Sequence, residues 1–354
     1  MKVLIVGGGS AGHVLPTVPI VTALAEEGHD VVFVGTHSGL EADLVAELPC
    51  DFRAISAGKL RRYLSLENVL DIFRTLLGIF QSLLLVLKTK PQVIFSKGGY
   101  VSFPLVLAGW ICRVPIVAHE SDISPGLANR LVTPFANTIC TSFADTAFKG
   151  AKTHVVHTGT PLRAEIVDGS ATTGRQRLGI SPDKPLLVVT GGSLGADRLN
   201  EIVRSEIQEL TQTFYVFHVC GPGKLVAMEV SDYVQAEFVA EGWGDVLAAA
   251  DVVLSRAGAN ALFELVALQK KNLLVPLPKV ASRGDQIENA AYAQARGWSL
   301  VIAEEDLTPQ SLGAAVRQLL EQGEQWTTRL AEFATPNAAH AIVMEIHAAA
   351  RKSP

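Results

Sequence analysis

Short, continuous apolar runs rich in Val and Ile recur along the chain, separated by stretches whose apolar positions have helical spacing. They fall at 3–6 (VLIV), 31–34 (VVFV), 92–95 (QVIF), 115–118 (PIVA), 186–189 (LLVV), 215–219 (YVFHV), 251–254 (DVVL) and 273–277 (LLVPL). A run that does not alternate with polar residues marks a strand buried on both faces. Alternation of such runs with helices predicts an α/β protein with parallel, doubly wound sheets.

Gly8-Gly9-Ser10-Ala11-Gly12 and Gly191-Gly192-Ser193-Leu194-Gly195 each follow an aliphatic run and precede a helical pattern. The repeated strand–loop–helix unit predicts two Rossmann-like domains facing across a cleft. The first covers 1–162 and the second 163–335, with the polar stretch 163–184 as linker and lead-in. A C-terminal helix at about 336–354 is expected to pack back on the first domain. Ligands of such sheets bind beyond the carboxyl ends of the strands, where these loops lie.

The segment 65–87 (SLENVLDIFRTLLGIFQSLLLVL) sets a narrow polar or small stripe, Glu67, Asp71, Arg74, Gly78 and Gln81–Ser82, against a wide apolar arc. The stripe makes it a poor spanning helix. Two readings stand: a helix sandwiched between the sheet and a neighbouring helix, or an apolar surface that dips into a bilayer, flanked by Lys59, Arg61, Arg62, Lys88 and Lys90.

With 48% apolar and 18% charged residues the 354-residue chain is globular and long enough for two cores. A formal charge of −5 argues against a nucleic-acid partner. Cys50, Cys112, Cys140 and Cys220 lie far apart, which suggests reduced core residues and neither a zinc site nor a disulfide framework. The chain opens directly into an apolar run without a leader pattern, so a cytoplasmic protein is expected.

Gly7-x-Gly9-x-x-Gly12 satisfies the letter of the dinucleotide motif, which also requires an acidic residue at the end of the second strand. That strand ends in Gly35-Thr36, with Asp30 at its beginning. Hydride transfer is therefore disfavoured, and the glycines serve another close approach of backbone to ligand. His13 opens the first helix as a cap or as a general base, its ordinary pKa of about 6.5 suiting proton transfer. Farther on, Ser255-Arg256-Ala257-Gly258-Ala259-Asn260-Ala261-Leu262-Phe263-Glu264 follows a strand and opens a helix with small residues, an anion site with Glu264 placed to accept ribose hydroxyls. Gly284-Asp285-Gln286-Ile287-Glu288-Asn289 brings amides and a carboxylate suited to sugar hydroxyls. Together these describe a nucleotide-sugar site. No D-x-D pair offers ligands for a diphosphate-bound metal, so helix dipole and backbone amides are expected to stabilise a leaving diphosphate.

GGSAGH at 8–13, SKGGYVSFP at 96–104, HESD at 119–122, GGSLGADRLN at 191–200, SRAGANALFE at 255–264 and RGDQIEN at 283–289 stand in the order and spacing of the MurG family. The chain resembles these peptidoglycan N-acetylglucosaminyltransferases over nearly its whole length. The resemblance implies a GT-B fold and an inverting transfer from UDP-N-acetylglucosamine to the muramyl 4-hydroxyl of lipid I, the undecaprenyl-diphosphate-linked muramyl pentapeptide, giving lipid II. It also implies no metal or other cofactor, and peripheral attachment to an anionic membrane surface at the cytoplasmic face. It places Ser10, Ala11 and Gly12 at the donor and acceptor diphosphate. Arg163 and Ser193 fall on the uracil and phosphate side, Ala259, Asn260, Ala261, Leu262, Phe263 and Glu264 in the sugar and ribose helix, and Gln286 and Asn289 at the sugar. Asp122 stands where many relatives have Asn, and Ser10-Ala11 replaces Thr-Gly. His13 is the first choice of base, Glu120 the second, with Tyr100 orienting the acceptor. The alternatives are a related GT-B enzyme with another lipid acceptor and a catalytically silent, membrane-bound binding subunit.

Overall fold

The computed structural model describes residues 1–59, 66–148, 153–181, 183–331, 333 and 337–351. The chain forms two compact units, Met1–Arg163 with Pro336–Pro354, and Ala164–Thr335. In the first, β1 (Lys2–Gly7), β2 (Asp30–Thr36), β3 (Asp51–Ile55), β4 (Val93–Gly98), β5 (Ile116–Glu120), β6 (Thr138–Thr141) and β7 (His154–His157) form one sheet in the order β3-β2-β1-β4-β5-β6-β7. In the second, β8 (Leu186–Thr190), β9 (Tyr215–Val219), β10 (Tyr233–Ala236), β11 (Val252–Ser255), β12 (Asn272–Leu274) and β13 (Leu300–Val301) form a sheet in the order β10-β9-β8-β11-β12-β13. Every pairing in both sheets is parallel. Counted from its own first strand, the second sheet runs 3-2-1-4-5-6 and the first repeats that order with β7 added at its edge, the doubly wound order.

The unbroken apolar runs have a direct structural cause. Val3 and Ile5 of β1 pack with Ile342, Val343 and Ile346 of the helix Ala338–Arg351, while Leu4 and Val6 pack on the opposite face with Leu105 and Val106 of the helix Ser102–Ile111. The C-terminal helix thus closes one face of the first sheet, also lying against the helix Val18–Glu26. In the second unit Leu187 and Val189 share a core with Leu199, Val203, Leu312 and Val316. Cys140 and Cys220 are buried, Cys50 and Cys112 half-buried, and all four are free thiols.

Five strands lie outside the apolar runs. β3 (DFRAI) and β7 (HVVH) are edge strands with largely solvated side chains, β10 and β13 are the edges of the second sheet, and β6 (TICT) is short and half threonine. The run 273–277 is strand only to Leu274, because Pro276 has no N–H to give a ladder. The stretch 163–184 is no plain linker: it holds the helices Ala164–Val167 and Ala171–Leu178, the latter capped by the Ser170 hydroxyl, which accepts from Thr173 N at 3.3 Å. This second helix packs on Trp243–Ala249.

The helix Leu66–Thr89 reverses the usual polarity of a surface helix. Asp71, Gly78 and Ser82 are buried, whereas Leu70, Ile72, Phe73, Leu76, Leu77, Phe80, Leu84 and Leu87 are each at least 50% exposed. The sandwiched arrangement is therefore not adopted. The inward polar groups are used: Asp71 Oδ1 accepts from Arg74 at 2.9 Å, and Gln81 Oε1 accepts from Ser56 N at 2.6 Å. Of the flanking cations, Lys59, Lys88 and Lys90 are exposed, while Arg61 and Arg62, like Ser65, lie outside the described residues.

Gly78 allows this docking, since a Cβ there would lie 1.8 Å from the Ser56 carbonyl oxygen. Helix propensity would favour Gly78→Ala by about 1 kcal/mol, but the clash is with backbone and overpacking costs about 1–3 kcal/mol. We expect Gly78→Ala to lower the Tm by a few degrees in a thermal melt; a raised Tm would show that the helix is not held this closely.

Candidate active site

The carboxyl ends of β1, β2, β4 and β5 carry the chemistry of the first unit. The glycine loop leaves β1 and turns into Ala11–Val14, whose last turn contains His13. The Ser10 hydroxyl and His13 Nδ1 are 2.8 Å apart, so the ring is oriented from the loop itself. Ser10 and Ala11 are half-buried and Gly12 is exposed. Glu41, fully buried beyond β2, accepts from Gly9 N at 2.7 Å through Oε1 and from the Thr36 hydroxyl at 3.0 Å through Oε2. It pins the glycine loop to the end of β2. Tyr100 lies across the same loop: a Cβ on Gly9 would stand 2.5 Å from its ring, and Lys59 Nζ sits 5.5 Å from the ring centroid. Burial raises the Tyr100 pKa, so the phenol is a neutral hydrogen-bonding group.

Gly9, Thr36, Glu41 and Tyr100 border a cavity of about 500 Å³ that Lys59, Asp71 and Arg74 also line. Asp71 Oδ2 is buried there without a hydrogen-bond partner. Its walls offer the Lys59 and Arg74 cations and the Tyr100 phenol, a lining for a polar ligand.

Glu120 ends β5 and is 4% exposed. Its Oε1 accepts from Asp122 N at 2.9 Å, and its Oε2 from Gly126 N at 2.8 Å and Asn129 Nδ2 at 2.9 Å. Burial raises its pKa, as does the Asp122 charge, against the pull of these hydrogen bonds. With both oxygens committed to the loop 121–129, Glu120 is an organiser of that loop. Lys97, at the end of β4, is wholly buried and donates to the Ser121 hydroxyl. Burial lowers its pKa to about 8 against the opposing attraction of Glu120 and Asp122. His119 donates its Nε2 proton to the Gly159 carbonyl at 3.1 Å, and burial followed by the Lys97 charge keeps it neutral. Asp122 is half-buried at the rim of this network.

In the second unit, β8 leads through Gly191–Gly195 into Asp197–Ser205, and Ser193 is exposed at the loop tip. The helix Ala259–Ala267 follows β11, with Gly258 as its extended cap. Asn260, Ala261 and Glu264 are half-buried. Leu262 and Phe263, expected among the ligand contacts, face the core: Leu262 is fully buried and Phe263 lies 6.2 Å from the Phe333 ring. Helical periodicity turns these two positions inward, so only their backbone can serve a ligand. Asn289 is also fully buried, its Nδ2 donating to the Ala257 carbonyl at 3.2 Å, which makes it a brace for the loop before that helix. Gln286 Oε1 accepts from Leu277 N at 3.1 Å. Arg256 is buried, with its guanidinium donating to the Val275 carbonyl at 3.1 Å and to Glu304. Arg163 closes the first unit, half-buried.

Sequence reasoning passed over Lys97, Glu41 and Asn129. Lys97 carried a signal, a lysine at the end of a strand otherwise buried throughout. Glu41 carried none, because its importance comes only from the glycine backbone beside it.

Residues 3–141 match the glycosyltransferase family 28 N-terminal domain, and 186–343 match the glycosyltransferase family 28 C-terminal domain. The chain is 43% identical over 344 residues to the UDP-N-acetylglucosamine–N-acetylmuramyl-(pentapeptide) pyrophosphoryl-undecaprenol N-acetylglucosamine transferase of Clostridium kluyveri, covering 97% of this chain and 98% of the relative. It is 44% identical over 345 residues to the enzyme of the same name from Legionella pneumophila strain Paris, covering 97% and 95%. Among solved structures, Acinetobacter baumannii MurG superposes with a TM-score of 0.77 at 24% identity, covering 98% of this chain and 99% of that one, a likeness of fold. The chain therefore belongs to glycosyltransferase family 28, in the group of N-acetylglucosaminyltransferases to which these relatives belong.

Proposed function

We propose that this chain transfers N-acetylglucosamine from UDP-N-acetylglucosamine to the muramyl 4-hydroxyl of lipid I, releasing UDP and giving lipid II. The observation that carries this reading is 43–44% identity across 97% of the chain to relatives named for that transfer. In the reaction the hydroxyl oxygen attacks the anomeric carbon, the bond to UDP breaks with inversion, and the hydroxyl proton passes to a base.

We assign that base to His13, whose ring is oriented by the Ser10 hydroxyl, 2.8 Å from Nδ1. Glu120 is the poorer candidate because its oxygens hold the loop 121–129. The negative charge that develops on the departing UDP is assigned to the first-turn amides behind Gly258, where the helix dipole favours an anion. Glu264 would accept ribose hydroxyls and Gln286 sugar hydroxyls, with Ser193 and Arg163 on the phosphate and uracil side. Ser10, Ala11 and Gly12 would lie at the donor and acceptor diphosphate, Asp122 would contact the donor, and Tyr100 would orient the acceptor. The outward apolar arc of Leu66–Thr89, flanked by Lys59, Lys88 and Lys90, would rest on the anionic cytoplasmic face of the membrane, as a peripheral attachment.

Purified protein incubated with labelled UDP-N-acetylglucosamine and a lipid I analogue should yield labelled lipid II. Transfer only to a different lipid, or none to any, would favour the other acceptor or the silent binding subunit. In the same assay His13→Ala should lower kcat by about 10²–10⁴-fold with a much smaller change in KM. Unchanged turnover would remove His13 from the role.

Because Leu76 and Phe80 are exposed, replacing both with Glu should leave the fold intact. Each side chain withdrawn from a bilayer forfeits about 1.5–3 kcal/mol, so co-sedimentation with anionic vesicles should weaken more than tenfold. Undiminished binding by the double variant would count against the membrane assignment.

A further inference from the structure

Away from the carboxyl ends of the strands, three side chains converge at the amino-terminal edge of the first sheet. Glu27 caps the helix Val18–Glu26, His29 precedes β2, and His347 belongs to the helix Ala338–Arg351. His29 Nε2 and His347 Nε2 are 3.1 Å apart. Glu27 Oε2 lies 3.3 Å from the first and 2.9 Å from the second. The two rings meet nearly at right angles, 82° between planes. Among the described residues this is the one place where three groups able to ligate a metal come together.

Three Lewis-basic atoms pointing at a common centre are poorly served by hydrogen bonds alone. Without a metal the Glu27 carboxylate can accept from either ring's Nε2–H, but the 3.1 Å contact between the two Nε2 atoms leaves room for only one proton between them. A cation at the centre removes the conflict. Ligands at about 2.0–2.2 Å from a tetrahedral zinc ion stand about 3.3 Å from one another, and the observed edges of 2.9–3.3 Å approach that triangle. The side chains remain 19–37% exposed, which leaves a fourth position to water. Two imidazoles and one carboxylate are a donor set for a divalent ion of borderline softness. Burial is the leading cause that lowers the His29 pKa, followed by the positive Met1 terminus, with Glu27 acting in the opposite direction. The Met1 ammonium donates to His29 Nδ1 at 3.3 Å, so the metal-free ring holds its proton at Nε2, and a bound cation would displace that proton.

We propose that Glu27, His29 and His347 form a divalent-metal site, of the zinc class, that fastens the C-terminal helix to the first unit. His29 and His347 are 318 positions apart, and the whole second unit is inserted between them. The ion acts as a clip on the returning chain, at a distance from the transferase chemistry, and stabilises the folded state by mass action.

The test uses tag-free, full-length protein stripped with EDTA. Titrated Co²⁺ should give the visible absorption of a four-coordinate site with one equivalent per chain, displaced by Zn²⁺, and Zn²⁺ should raise the Tm by several degrees. Glu27→Gln and His347→Gln, both at partly exposed positions, should each weaken Zn²⁺ binding by at least about tenfold, no less than the loss of an outer-shell partner costs. They should abolish the Tm response while leaving circular dichroism and transferase turnover unchanged. Absence of the Co²⁺ spectrum, or a Zn²⁺ affinity and Tm response equal in wild type and both variants, would overturn the proposal.

Discussion

In both sheets strand order reverses beside the first strand, so the loops leaving β1 and β4, and those leaving β8 and β11, splay apart and open a backbone-lined crevice. Polar loops beside such an opening must be held without a ladder to hold them. The chain does this with buried polar side chains that reach from one strand end to the next loop. Glu41 joins the ends of β1 and β2, Lys97 ties β4 to the segment after β5, and Glu120 gathers residues 122–129. In the second unit Asn289 and Arg256 do the corresponding work around the Gly258 loop. A buried charge is tolerated only where hydrogen bonds replace water, and each of these groups has them.

This division of labour separates residues that shape the site from those able to touch substrate. His13 suited proton transfer by its place at the start of the first helix, and Glu120 entered as a base only through the family resemblance. Their surroundings differ. Glu120 is enclosed by three donors from residues 122–129, whereas the His13 ring is oriented by Ser10, in a loop whose neighbouring Gly12 is exposed. The same distinction sets Leu262, Phe263 and Asn289 apart from Glu264 and Gln286.

The doubly wound fold was legible because buried parallel strands leave an unambiguous trace, and the twin GGSxG loops fixed where each sheet begins. Edge strands such as β7, with polar and exposed side chains, leave no such trace, and β12 ends early for want of a proline N–H. At the site, glycines and titratable residues marked the right loops. Position on a helix face did not follow from the motif: SRAGANALFE reads as one block, but its third helical turn residue onward alternates between ligand side and core by periodicity. Buried braces such as Glu41 are invisible for a different reason, since nothing in their local sequence announces a partner more than 30 positions away.

The helix Leu66–Thr89 shows where pattern reading stops and geometry takes over. A polar stripe and an apolar arc define two faces but not which one meets the protein. Here Gly78 and the groups that pair with Asp71 and Gln81 decide it, since they let the stripe dock closely. Large contiguous apolar patches are uncommon on free surfaces, and this one runs along a helix of 24 residues, about 36 Å at 1.5 Å per residue. A spanning orientation would bury Asp71 and Arg74 in hydrocarbon, so the arc fits a bilayer only with the helix axis lying along its surface. Asp71 and Arg74 on the same helix line the polar cavity beside Gly9 and Tyr100. One helix thickness, about 10 Å, then separates the proposed membrane surface from that cavity. A substrate with its tail in the bilayer and its diphosphate at the headgroups has only that distance to cross, which gives the reversed polarity of this helix a reason in the proposed chemistry.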